Sequence, residues 1–223
     1  MPKGLAEEVA RRLVAAGRFL EEDPELAHLH ASEATRIASR VAAVREANGL
    51  TAYATARWAQ ARSELRAARR LSGSDEYLPL LADCERGLGK PERALELAGS
   101  PEAARLDKAT RVELRIVASG ARRDLGQLDA AVVTLQCPEL RDEAKPWSPR
   151  LRYAYADALL AAGRTDEAVE WFERAARADA DGATDAQERL DELDGLVFTD
   201  ASDGTDDISE PEPGSPRPAA DQG

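Results

Sequence analysis

A helix–turn–helix pattern with a glycine at its joint recurs along the chain. It is clearest at residues 159–179, LLAAGRTDEAVEWFERAARAD, and it returns upstream as GLGKPERALELA and DLGQLDAAVVTL. Each copy has an alanine five residues after the turn glycine. Equivalent alanines further upstream extend the series at spacings of 34, 33, 37 and 37 residues, through Ala27, Ala61, Ala94, Ala131 and Ala168. This period indicates stacked helix pairs, since one pair cannot bury its apolar face alone.

The composition agrees with close helix packing and offers no support for a β fold. Hydrophobic residues make up 43% of the chain but aromatic residues only 4%, so much of the apolar content is alanine. Alanine favours helices, and no run of alternating valine, isoleucine and threonine suggests a strand. We therefore predict an all-α protein.

The last copy of the pattern carries the most specific motif. A small residue lies midway along its first helix, a glycine ends that helix, and Ala, Phe and Ala follow at helical spacing, at Ala156, Gly163, Ala168, Phe172 and Ala175. This arrangement resembles the 34-residue tetratricopeptide repeat, although Ala180 stands where that family usually has proline. The resemblance implies a right-handed α-solenoid of about five helix–turn–helix repeats.

The other copies match the motif with departures. In the second, Gly49 is the small mid-helix residue, but Ala56 replaces the turn glycine, which should strain or lengthen that joint. In the third and fourth, Pro101 and Pro138 replace the last alanine of the second helix. Because proline cannot continue a helix, we predict truncated second helices followed by short helical stubs.

The pattern divides the chain into four parts. We expect an N-terminal helix in residues 1–23, the repeat array in 24–180 and a C-terminal capping helix in 181–198. Residues 199–223 are rich in proline, glycine, serine and acid, a composition typical of a disordered acidic tail.

Charge is distributed unevenly along the chain. The net charge is −12, and residues 179–223 alone hold 14 acidic and 2 basic side chains. Residues 36–70 contain eight arginines against two glutamates. Within them we expect a basic stripe at helical spacing, consisting of Arg57, Arg62, Arg66, Arg69 and Arg70. Such a stripe is either a solvated helix face, a contact for ribosomal or other nucleic acid, or a docking site for the acidic tail.

The resemblance also implies a function and a site. Members of the family usually bind a peptide or helix of another protein in the concave groove formed by their first helices. Alignment to the repeat places seven residues there: Tyr53, Asp83, Arg86, Ile116, Arg123, Tyr153 and Asp157. We therefore expect a protein-interaction scaffold with a protein or peptide partner. The neutral body and the scarcity of aromatic residues make nucleic acid the less favoured partner.

Few residues suggest catalysis. His28 and His30 are the only histidines and point to different faces of a helix, which suits metal binding poorly. Cys84 and Cys137 form no CxxC motif and are expected to be packing residues. We therefore expect no enzyme activity, no cofactor and no metal.

Two further expectations concern location and origin. The N-terminus has no long apolar run, so we expect no signal peptide, no membrane segment and a cytoplasmic protein. The ratio of 26 arginines to 4 lysines suggests a GC-rich bacterial genome.

Overall fold

The computed structural model describes residues 2–202, and within them the protein is all-helical, as predicted. Eleven α-helices and two short 3-10 helices occur in this part of the chain, with no strand. The α-helices are α1 (Lys3–Phe19), α2 (Pro24–Ala38), α3 (Ala42–Ala54), α4 (Trp58–Ser72), α5 (Leu78–Gly87), α6 (Pro91–Ala98), α7 (Lys108–Asp124), α8 (Leu128–Leu135), α9 (Ser148–Ala161), α10 (Thr165–Ala178) and α11 (Ala186–Ser202). The 3-10 helices are stub 1 (Ala103–Arg105) and stub 2 (Pro138–Arg141).

The helices pack as consecutive pairs that stack into a solenoid-like array. The pairs are α1–α2, α3–α4, α5–α6, α7–α8 and α9–α10, and α11 packs against α10. Each second helix also contacts the first helix of the next pair. In the later pairs the first helices touch one another, α5 against α7 and α7 against α9. This row of first helices forms one side of the candidate site.

The five repeated alanines lie in the packed interior between helices. Ala27, Ala61, Ala94, Ala131 and Ala168 are all completely buried. The small residue midway along the first helix leaves room for the second helix to pack closely against it. At Gly49 an added Cβ would lie 2.8 Å from two side-chain atoms of Leu65. Ser119 instead uses its small size to donate a hydrogen bond to the carbonyl oxygen of Ala131, at 3.0 Å.

The predicted stubs are confirmed. α6 and α8 have eight residues each, whereas α10 has 14. Stub 2 begins at Pro138, and stub 1 follows Pro101 by two residues. Leu106 and Leu140, at or just after these stubs, are buried, so the stubs fill space that the truncated second helices leave open.

The turn between paired helices needs a left-handed residue. Gly89, Gly126 and Gly163 have φ of +69°, +71° and +76°. Ala56 adopts φ +55° and is the only non-glycine residue with positive φ within residues 2–202. Its turn keeps the glycine pattern, since Arg57 N–H donates to the Ala52 carbonyl just as Arg164 N–H donates to that of Leu159. The joint is therefore strained, not lengthened.

This strain gives a reciprocal test. We expect Ala56→Gly to raise the free energy of unfolding by about 0.5–1 kcal/mol, since the left-handed cost to alanine exceeds the added chain entropy of glycine. Gly163→Ala should lower it by about 1 kcal/mol or more for the converse reason. Urea denaturation of both variants measures the two changes. A loss of stability in Ala56→Gly would show that the joint is not strained.

The C-terminal helix differs in extent from the prediction. α11 begins at Ala186 and ends at Ser202, four residues beyond the expected limit of 198. Thr199 to Ser202 contain no proline or glycine that would end a helix, and the next glycine is Gly204. The remainder of the predicted acidic tail, residues 203–223, lies outside the described residues.

Candidate interaction groove

A cavity of about 710 Å³ lies along the row of first helices α5, α7 and α9. Five of the seven residues predicted for the groove line it: Arg86, Ile116, Arg123, Tyr153 and Asp157. The segment 182–185 and Glu188 of α11 line its other side. Tyr53 and Asp83 do not line this cavity, but hydrogen bonds connect them to it.

A chain of polar contacts joins three successive first helices. The hydroxyl of Tyr53 in α3 donates to Asp83 in α5 at 2.5 Å. Arg86 donates to Asp83 and, across to α7, to Asp124, both at 2.8 Å. Burial and the hydrogen bond to Asp83 raise the pKa of Tyr53. Tyr53 and Asp83 thus hold the side chain of Arg86 in place on the groove wall.

Arg86 lies flat against α7 because that helix has a glycine beneath it. A Cβ added at Gly120 would lie 2.5 Å from the guanidinium carbon of Arg86. Burial opposes the charge of Arg86, but the hydrogen bond and charge of Asp124, with those of Asp83, outweigh it and raise its pKa. Arg86 is therefore a fixed positive group on the groove wall.

The second half of the groove is built on α7 and α9. Arg123 forms an ion pair with Asp157 across the two helices. The ring of Tyr153 packs edge-on against the buried Phe172, with centroids 5.4 Å apart. Burial and a hydrogen bond with Asp185 raise the pKa of Tyr153. A charged pair and an aromatic hydroxyl thus stand side by side on this wall.

Sequence reasoning missed the wall contributed by the segment after α10. The carboxylate of Asp179 accepts hydrogen bonds from the N–H groups of Ala183 and Thr184, both at 2.7 Å, and from the Thr184 hydroxyl. Gly182, with φ +66°, permits the turn. These contacts fold the segment back over α9, and no local sequence signal predicts that return.

Arg150 is a second missed residue, although a signal for it exists. It lies one helical turn before Tyr153 and Ala154 on the same face of α9, and it lines the cavity. Its guanidinium forms an ion pair with Glu113 of α7 at 3.0 Å. With Asp185 and Glu188 opposite, the groove carries both signs of charge and is polar.

The basic stripe is largely neutralised within the protein. Arg62 and Arg66 both bind the carboxylate of Glu85, at 3.0 and 2.9 Å, and Glu85 is only 3% exposed. Arg57 pairs with Glu25, and Arg69 pairs with Asp75. Arg70 is exposed and forms no ion pair with any residue in 2–202. The stripe therefore joins α4 to its neighbours and leaves little free positive charge.

The histidines and cysteines occupy packing positions. His28 is buried and lies 3.0 Å from the hydroxyl of Thr51, while His30 stacks on Phe19. Burial raises the pKa of Cys84 to about 12 and also raises that of Cys137, so neither thiol is activated. Within residues 2–202 no group of three or more potential ligands is placed to hold a metal.

Comparison with known proteins agrees with this architecture. Residues 139–193 match the family described as tetratricopeptide repeat. Among curated proteins, none matches the chain significantly. None of the helices within residues 2–202 combines the length and apolar character that crossing a membrane requires.

The matched segment contains the pair α9–α10 and the groove residues Tyr153 and Asp157. The earlier pairs repeat its buried alanine and its left-handed turn. The pair α9–α10 is therefore similar to the tetratricopeptide repeat family, and the earlier pairs share its buried alanine and its turn.

Proposed function

We propose that the protein is a non-catalytic adaptor that binds a peptide or helix of a partner protein in the groove along α5, α7 and α9. Tetratricopeptide repeats generally mediate protein–protein interactions and are typically non-catalytic. The observation that carries the proposal is the 710 Å³ cavity, which is open along the row of first helices and lined by charged side chains and by Tyr153.

The groove chemistry favours a polar segment of mixed charge. Arg86 and Arg123 are held by carboxylates of the protein, so a partner carboxylate would share them and gain little net free energy. Glu188, in contrast, is exposed and forms no ion pair within residues 2–202. A cationic side chain of the partner fits beside Glu188, and the backbone of the partner fits beside Tyr153. Such a site gives moderate affinity and selectivity through charge position.

A cytoplasmic location is an accompanying proposal. Cys84 and Cys137 are unpaired buried thiols, which accords with a reducing cytoplasmic location. The alternative of ribosomal or nucleic-acid binding through the stripe has no supporting observation, because Arg57, Arg62, Arg66 and Arg69 are held in ion pairs.

A matched pair of double variants tests the groove. Arg123→Gln/Asp157→Asn replaces the groove ion pair by neutral groups of similar shape, so neither charge is left alone. We expect it to weaken the partner complex at least about tenfold, because the partner backbone beside Tyr153 can hydrogen-bond to this ion pair, and hydrogen bonds to charged groups contribute about 1.5–3 kcal/mol. Cross-linked affinity capture from native cytosol, with nuclease treatment, identifies the partner, and titration with the identified segment measures the affinity.

The control variant is Arg164→Gln/Glu167→Gln. It removes an ion pair of 2.7 Å at the start of α10, away from the cavity. The control should bind the partner as the unmodified protein does. Equal binding by the groove variant, or cross-links that fall outside the groove, would contradict the proposal.

A further inference from the structure

A second cavity, of about 430 Å³, lies beside the pair α9–α10. It shares no lining residue with the groove, and its walls come from stub 2, α9 and α10. Four arginines surround it together with two apolar side chains, and the residues are Leu140, Arg141, Arg152, Trp171, Arg174 and Arg177. Four guanidinium groups of like charge thus lie around one space.

Two of these arginines have no carboxylate partner. Arg141 is exposed at the end of stub 2, and its side chain makes no hydrogen bond or ion pair with residues 2–202. Arg152 of α9 donates only to backbone carbonyl oxygens, of Asp142 at 3.0 Å and of Arg174 at 3.3 Å. Its Nε is buried and has no hydrogen-bond partner. Both side chains therefore keep positive charge that nothing in the described chain neutralises.

The other two arginines are held loosely. Arg174 lies over the ring of Trp171, 4.5 Å from its centroid, and its distance to Glu170 is 3.7 Å. Arg177 pairs with Glu173 at 3.3 Å, and both side chains are more than half exposed. Exposed pairs of this kind contribute little to stability, so a stronger anion can draw these guanidinium groups away.

Negative charge near the cavity does not cancel this set. Glu143 is the one carboxylate on the lining, and it is exposed. The carboxyl end of α10 adds about half an elementary charge. Together with Glu170 and Glu173 they offset most of the four positive charges, but Arg141 and Arg152 pair with none of these carboxylates.

We propose that this cavity binds a phosphate dianion, free or carried by a phosphorylated side chain of a peptide. Its two negative charges match the two guanidinium groups without a carboxylate partner, and its oxygens can accept hydrogen bonds from guanidinium groups that arrive from three different elements. A single carboxylate offers one charge and two oxygens in one plane. Trp171 and Leu140 supply an apolar wall for the carbon stem of a phosphorylated side chain. This site is independent of the groove and of any partner held there.

The test uses the full chain and three defined probes. They are inorganic phosphate, a short labelled phosphoserine peptide, and the same peptide with glutamate in place of phosphoserine. Arg141→Gln/Arg177→Gln removes two cavity charges without touching the structural contacts of Arg152. Arg93→Gln/Arg164→Gln removes two charges elsewhere that are also exposed, and it gives the same net charge as the cavity variant. Fluorescence anisotropy and calorimetry give the affinities.

We expect the cavity variant to lose at least about tenfold in affinity for the phosphoserine peptide, and the control to change less than about twofold. Competition by inorganic phosphate would support the site with a phosphopeptide ligand. Binding of inorganic phosphate alone, lost in the cavity variant, would support the site with free phosphate as its ligand. Equal affinity for the glutamate peptide, or phosphate binding unaffected by the cavity variant, would overturn the proposal.

Discussion

Replacing Phe172 by alanine is expected to lower the free energy of unfolding by about 3–5 kcal/mol. The side chain is completely buried, and it is the largest that the structure shows without exposure. It lies in the cluster formed by α9 and α10 with buried residues of α7 and α8. Removing it loses the buried area and leaves a cavity that these helices cannot close. Chemical denaturation monitored by circular dichroism measures the change.

The same substitution should also affect the groove wall. Tyr153 packs its ring against Phe172, so without that support its position on the groove wall becomes less defined. Val133→Ala serves as control, because Val133 is 63% exposed and should change stability by no more than about 0.5 kcal/mol. A loss below about 1.5 kcal/mol for Phe172→Ala would mean that the packing of α9 on α10 is looser than described.

Gly49→Ala is expected to destabilise the protein by about 1–2 kcal/mol. The added methyl would lie 2.8 Å from the Leu65 side chain and 3.2 Å from its backbone nitrogen. Leu65 is completely buried and cannot move aside, so α3 and α4 must separate. Overpacking of this kind costs about 1–3 kcal/mol, and helix propensity returns about 1 kcal/mol. Because Leu65 cannot move aside, we expect a cost in the upper part of that range and therefore a net loss of stability.

The control for this substitution is a glycine in open space. Gly17 of α1 has no heavy atom within 4 Å of a built Cβ. Gly17→Ala should therefore raise the free energy of unfolding by about 1 kcal/mol through helix propensity alone. Urea midpoints of the two variants should move in opposite directions. A shift in the same direction would show that α3 and α4 are not in close contact at Gly49.

Several groove residues could be predicted because the repeat fixes their positions. The first helices stack in register, so residues one repeat apart fall on the same wall, and Arg86, Arg123 and Asp157 line one cavity. Gly120, which gives Arg86 its place, has no counterpart in the motif. Its role depends on a side chain 34 positions earlier in the chain, and a local pattern does not encode that contact.

The arginine stripe shows the limit of reading charge from sequence. The spacing of Arg62 and Arg66 on one helix predicts an exposed basic face. The structure places Glu85 of the next pair between them and buries it. Counting charges within a segment misses such pairs, because the compensating carboxylate comes from another repeat. The same reason explains why the arginine cavity beside Trp171 was not predicted, since its residues come from three separate elements.

The sequence by itself determined the helix pairs, their left-handed turns and the small residues that let them pack. These features depend on backbone conformation and on side-chain size within one repeat of about 35 residues, and the recurring sequence pattern indicates both. Only the tertiary structure decided which charges remain free. An ion pair depends on the distance between atoms of different repeats, so Arg62 became part of the packing between helices, while Arg141 has no ion-pair partner within residues 2–202.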